Sequence, residues 1–130
     1  MKKIFTGFIF CLLLFGCKKE KFDYRNKFIG DYNFSIHTTA WGSQTMDTTY
    51  SYNGSIKSST TDDKINIYFL ENYSLEPIIY EDGSLVLNMT YSYHFKGEFE
   101  STTKAKFFYS GGGLGGGGSY DVIGIKQTIK

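Results

Sequence analysis

Gly30-Asp31-Tyr32-Asn33-Phe34-Ser35-Ile36-His37 decides how the rest of the chain reads. Tyr32, Phe34 and Ile36 fall on one parity, and Asn33, Ser35 and His37 on the other. Successive side chains leave a strand on opposite faces, so this alternation predicts a strand with one face turned from water. The same test can be carried outward. Gly42 to Gln44 mark a turn or loop. In Tyr50 to Ile56, Asn53-Gly54 has the composition of a hairpin turn, but such a turn would set Tyr52 against Ser55 and Ile56 against Ser51. A continuous strand keeps Tyr50, Tyr52 and Ile56 together, with Gly54 as a bend or bulge.

Further turns are expected at three places. Asp62-Asp63 pairs Thr60 with Ile65, Ser58 with Ile67 and Ile56 with Phe69. Asp82-Gly83 sets Tyr80 against Leu85 and Ile78 against Leu87. A loop at Ser101 to Thr103 aligns Phe99 with Ala105 and Phe95 with Tyr109. Leu85 to Phe99 keeps one parity, as one long curved strand or as two joined by an uncued turn near Met89 to Ser92. Ser110 to Ser119 is nearly all glycine and reads as a mobile hairpin loop before a last strand from Tyr120 to about Ile129. The sum is an all-β antiparallel meander of seven or eight strands over residues 28–130, without a convincing helix. Closing into an up-and-down barrel would remove its edges, and a two-sheet sandwich is the alternative. Tyr32, Phe34, Ile56, Ile67 and Leu87 are expected inside.

Composition agrees. Aromatic residues make up 18% of the 130 residues, with 12 Phe, 11 Tyr and a single Pro, which suits pleated, half-buried strands. Fourteen Lys and Arg stand against 13 Asp and Glu. So balanced a chain offers no electrostatic footprint for nucleic acid and no basic surface for anionic lipid heads.

The start of the chain is of another kind. Lys2 and Lys3 precede an uncharged stretch, Ile4 to Phe15, and the charged Lys18 to Lys21 follow. About 20 apolar residues are needed to span a bilayer, so this shorter run reads as the h-region of an export signal. Leu14-Phe15-Gly16-Cys17 resembles the lipobox of bacterial lipoproteins. The resemblance implies a signal peptide and signal helix over 1–16, cleavage between Gly16 and Cys17, and acylation of Cys17 with palmitate-like chains as a membrane anchor. Residues 17–27 then form the lipidated Cys and a polar tether. Cys11, the other of two cysteines, is lost with the signal, so no free thiol is left in an oxidising compartment.

Lys27 to Tyr32 resembles the opening of lipocalin-like barrels, where a Gly-x-aromatic motif starts the first strand and its ring plugs the closed end. With the lipobox, the whole chain is similar to small lipoproteins of the Bacteroidota. That likeness implies a cell-envelope location, outer membrane included, on the periplasmic or the surface side.

No catalytic constellation, metal site or cofactor motif emerges. His37 and His94 lie on the polar parity of separate strands, without ligands at metal spacing. Glu98 and Glu100 share an outward face, Asp82 belongs to its turn beside Glu81, and Ser110 to Ser119 lacks the Lys-Ser/Thr and helix of a phosphate loop. Tyr50, Tyr52, Tyr91 and Tyr93 sit on the apolar parity, where they either fill the core or line a ligand pocket. Trp41 at a strand end and Leu114 in the glycine stretch are candidate rim contacts. The expectation is a lipid-anchored, non-enzymatic barrel that binds a small apolar or amphipathic ligand. A structural or protein-interaction lipoprotein with a filled barrel is the alternative, and an envelope hydrolase comes third.

Overall fold

The computed structural model describes residues 22–43 and 45–128. Nine strands form one antiparallel sheet: β1 Gly30–Gly42, β2 Met46–Ser58, β3 Ile65–Leu70, β4 Tyr73–Leu75, β5 Ile78–Ile79, β6 Ser84–Val86, β7 Tyr93–Ser101, β8 Lys104–Gly113 and β9 Gly116–Lys126. Their order is β4-β3-β2-β1-β9-β8-β7-β6-β5, a meander in which β1 and β9 meet and the whole sheet curls. Among the described residues there is a single sheet, and the sandwich alternative is not adopted.

β4 and β5 are one strand interrupted at Glu76-Pro77. Pro77 has no N–H to place in a ladder, but its carbonyl accepts from the Ile65 N–H at 3.1 Å, Ile79 donates to the Asp63 carbonyl at 2.8 Å, and Lys64 bridges Ile78. Counted together they bring the strands to eight. Because β5 also pairs with β6 through Ile78↔Val86 and Ile79↔Leu85, the two ends of the sheet meet at this level. The opposite end stays open. Among the described residues β4 pairs only with β3, Tyr93 to Lys96 pair only with β8, and Leu87 to Ser92 cross between them outside any ladder. The Leu85 to Phe99 stretch is therefore two strands.

The alternating residues turn inward as their aversion to water requires. Tyr32, Phe34, Ile36, Ile56, Ile67, Phe69, Phe107 and Val122 are fully buried around a solid centre, and Leu87 packs part-buried against them. The ring of Phe69 meets Phe107 edge-on at 5.1 Å. Asn53-Gly54 lies within β2, as parity demanded. A β-carbon on Gly54 would stand 1.9 Å from the Tyr68 carbonyl oxygen, so this glycine lets β2 and β3 approach.

The closed end has its own plug. Residues 24–27, placed by the sequence in the tether, form a 3-10 helix, Tyr24–Lys27, capped by the Asp23 side chain. Tyr32 is completely buried above it, and its hydroxyl donates to the Phe28 carbonyl at 2.7 Å. Arg25 is buried too. Its Nη1 reaches the carbonyls of Ser59, Thr61 and Lys64, while Asp23 grips the other side of the guanidinium at 2.7 Å.

Phe99↔Ala105 and Phe95↔Tyr109 pair as expected. The Asp62-Asp63 turn forms, with the Lys64 N–H on the Thr61 carbonyl at 3.3 Å. The Ser59 N–H, however, bonds the Lys64 carbonyl at 3.2 Å while Arg25 binds the carbonyls of Ser59, Thr61 and Lys64, and the register moves by two residues, to Ser58↔Ile65 and Ile56↔Ile67. At Asp82-Gly83 the loop holds three residues, with Gly83 at φ +92° and its N–H on the Tyr80 carbonyl. Ile79 and Leu85 both face inward on odd numbers, and two facing residues of like parity require a loop of odd length. Tyr80 is consequently half exposed, not interior.

The glycine stretch is the largest correction. Ser110 to Ser119 is not a loop: β8 and β9 run through it with unbroken pairing to Gly113↔Gly116, leaving Leu114-Gly115 as the turn. Ladder bonds need only backbone groups, and neighbouring aromatic rings cover what the glycines leave bare.

Candidate functional site

The glycine hairpin builds the open end of the barrel. Reading across the sheet, Tyr93 pairs with Gly111, Gly111 with Gly118, and Gly118 with Ala40, so the uppermost inward row has almost no side chains. The row beneath is Phe95, Tyr109, Tyr120 and Thr38. Empty space above a tyrosine floor is the result: a cleft of about 270 Å³ lined by Leu70, Tyr73, Tyr93, Tyr109, Gly111, Gly118 and Tyr120.

Its rings are ordered by one another. Tyr93 folds down over Gly111, where a β-carbon would lie 2.3 Å from the ring, and runs parallel to Tyr109 at 6.2 Å. Tyr109 runs parallel to Tyr120 at 6.1 Å, and Tyr73 leans against Tyr109 at 5.9 Å from the β4 side. Phe69 closes the floor, 6.1 Å from Tyr120. The lining carries no charged side chain. Burial, and then the hydroxyl of Tyr109, push the Tyr73 phenol well above its ordinary pKa, and burial with Tyr120 raises Tyr50. Both phenols therefore stay neutral at physiological pH, offering a donor and an acceptor beside apolar ring faces.

The residues singled out from sequence are divided by this geometry. Tyr93 lines the cleft. Tyr50 and Tyr52 face inward opposite Ile36 and Phe34, Tyr52 packing on the core and Tyr50 half exposed near Tyr120. Tyr91 does not line the interior: it sits in the turn after Thr90, fully exposed, because β7 begins only at Tyr93 and nothing fixes its parity. Leu114 stands at the hairpin tip, fully exposed, and caps nothing. Trp41 lies on the convex face, where its ring rests on the backbone of Gly112 and Gly117. Tyr73, Tyr109 and Tyr120 were missed as site residues. Treating Leu114-Gly115 as a two-residue turn would have paired Tyr109 with Tyr120 and exposed the aromatic row.

Gly16 and Cys17, with the rest of the expected signal and lipobox, lie outside the described residues. His37 is on the convex face, its Nδ1 3.0 Å from the Thr49 hydroxyl, and His94 is exposed on another strand. Glu100 pairs with Lys104 at 2.6 Å, and Asp82 accepts from the backbone and hydroxyl of Ser84. Among the described residues no group of His, Cys, Asp and Glu is gathered for a metal, and no helix is long and apolar enough to cross a membrane. Searches against protein-family models, curated proteins and solved structures return no match for this chain.

Proposed function

We propose that this chain is a lipid-anchored protein of the bacterial cell envelope that holds a small neutral ligand, without transforming it, at the tyrosine-rimmed open end of its barrel. The carrying observation is the combination of bulky rings and missing side chains: Tyr73, Tyr93, Tyr109 and Tyr120 surround the space that Gly111 and Gly118 leave unfilled. Ligand sites are mostly apolar with a few oriented polar groups, and four tyrosines meet both conditions. The packed centre beneath sets the ligand's size, since Phe34, Phe69 and Phe107 leave no channel for a long chain. The anchor rests on Leu14 to Cys17 and the apolar run before it. Two or three acyl chains on Cys17 would hold the protein stably, as one alone would not.

Native mass spectrometry of the full chain, extracted from envelopes, tests the ligand. A small adduct is expected, lost or weakened at least about tenfold in Tyr93→Ala and Tyr120→Ala, equivalent to roughly 1.4 kcal/mol. Bare protein from several growth conditions, with both variants indistinguishable from wild type, rejects the ligand. Metabolic labelling with a palmitate analogue tests the anchor: label on the wild type and none on Cys17→Ala is expected, and an unlabelled wild type rejects it.

The solid lower barrel favours one second reading, a structural or protein-interaction role. Crosslinking in intact envelopes that captures one stoichiometric protein partner, together with a bare native spectrum, would select it.

A further inference from the structure

We infer a second binding site, on the convex face and independent of the tyrosine cleft, that takes the apolar face of a neutral saccharide ring. It is built around Trp41. That residue points outward from β1 opposite Gly117, and β-carbons on Gly112 or Gly117 would lie 3.1 Å and 2.6 Å from its ring. The indole thus rests directly on the β8–β9 backbone, held in place, and still leaves 49% of the residue's surface to solvent.

Beside it runs a groove of about 340 Å³, shared with Tyr91, Ser92, His94, Ser110 and Gly111 to Gly113. Ser110 and His94 face each other across β7 and β8, and Ser92 accepts at its carbonyl from Gly112 at 3.2 Å. Two serines and an imidazole therefore lie beside the seated ring of Trp41, with the fully exposed Tyr91 at the groove's edge.

The lining selects the ligand's chemistry. It contains no Lys or Arg to pair with a phosphate or a nucleic-acid backbone, and His94 alone is too few ligands to hold a metal ion. Its hydroxyl and imidazole fringe is too polar for an acyl chain. A pyranose presents weakly positive C–H bonds on one face and hydroxyls around its edge. The first suit the negative face of an aromatic ring, and the second suit Ser92, His94 and Ser110.

Trp41 is the single tryptophan of the chain, so its fluorescence reports on this groove alone. The experiment titrates the full chain, in a non-glycosidic detergent, with soluble β-1,4-linked oligomers of glucose and of N-acetylglucosamine. A saturable shift at roughly millimolar sugar is expected, weakened about tenfold by Tyr91→Ala or His94→Ala and unchanged by Tyr120→Ala. Ligand-observed NMR then shows binding lost in Trp41→Ala, with circular dichroism confirming that the variant is folded. An unresponsive Trp41 with both oligomer series at tens of millimolar overturns the inference. So does binding that survives Trp41→Ala, or that disappears in Tyr120→Ala alone, which would move the sugar to the cleft. Neither result bears on whether the cleft holds its own ligand.

Discussion

Gly124→Ala adds one methyl group, and the structure says what it meets. Gly124 lies on β9 directly across from Phe34 on β1. A β-carbon there would stand 2.6 Å from Cε1 and 2.7 Å from Cδ1 of the Phe34 ring, with Tyr32 Cδ1 at 3.3 Å. Carbon atoms prefer about 3.5–4.0 Å, so the overlap is roughly 1 Å. The ring has no free direction in which to retreat, being parallel to Tyr32 at 5.7 Å and edge-on to Phe107 at 6.4 Å. Overpacking of this kind costs about 1–3 kcal/mol, and the loss of unfolded-chain entropy on replacing glycine offsets about 0.5 kcal/mol of it. The net destabilisation should be about 0.5–2.5 kcal/mol, lowering the urea midpoint by roughly 1 M. Gly113→Ala is the internal control, since its β-carbon meets nothing within 4 Å and its φ is not positive. Only the entropy gain remains there, and the midpoint should hold or rise slightly. Phe34→Leu should relieve Gly124→Ala, giving a coupling of about 1 kcal/mol or more in a double-mutant cycle. If Gly124→Ala and Gly113→Ala shift the midpoint alike, or the double variant is additive within about 0.3 kcal/mol, the packing argument fails.

Further outcomes follow from the closed end and from the hairpin tip. Arg25→Ala should destabilise by roughly 2–4 kcal/mol, because three loop carbonyls lose a charged donor, and Arg25→Lys should restore less than half of it, both read by urea melts. The Arg25 hydrogen bond holds the Asp23 carboxyl below its ordinary pKa, so its stabilisation is present above the unfolded aspartate value and is lost as pH falls through the folded one. Wild type should therefore lose stability in acid more steeply than Asp23→Asn, and equal slopes would show that this pair does not contribute. Tyr32→Phe should lower stability by about 1–2 kcal/mol by leaving the Phe28 carbonyl without its buried donor, a change visible in thermal melts. Leu114→Ser, at a fully exposed tip, should change stability by less than about 0.5 kcal/mol.

Much of the fold was legible one residue at a time. The alternation at Tyr32, Phe34 and Ile36 named a strand and its inner face, and the Asn53-Gly54 parity test rightly refused a hairpin. Register held at Ser101 to Thr103, and it moved at Asp82-Gly83, where inward-facing Ile79 and Leu85 require a loop of odd length. It slipped where a distant group intervened, as Arg25 does at the loop before β3. The open end was harder to read because glycine says nothing about its neighbours: the same residues suit a mobile loop or a ladder, depending on whether rings such as Tyr93 and Trp41 lie over them.

What the residue order determined by itself is therefore local: which residues share one side of a strand, and which of those sides avoids water. Those properties follow from the period of the backbone and the solubility of each side chain, and neither depends on distant residues. Only the tertiary structure decided that the interior is solid below and empty above, and that Tyr73, Tyr109 and Tyr120 converge with Tyr93. Convergence depends on strands far apart in the chain being hydrogen-bonded in one register, and that register is set by long-range packing around Phe34, Phe69 and Phe107.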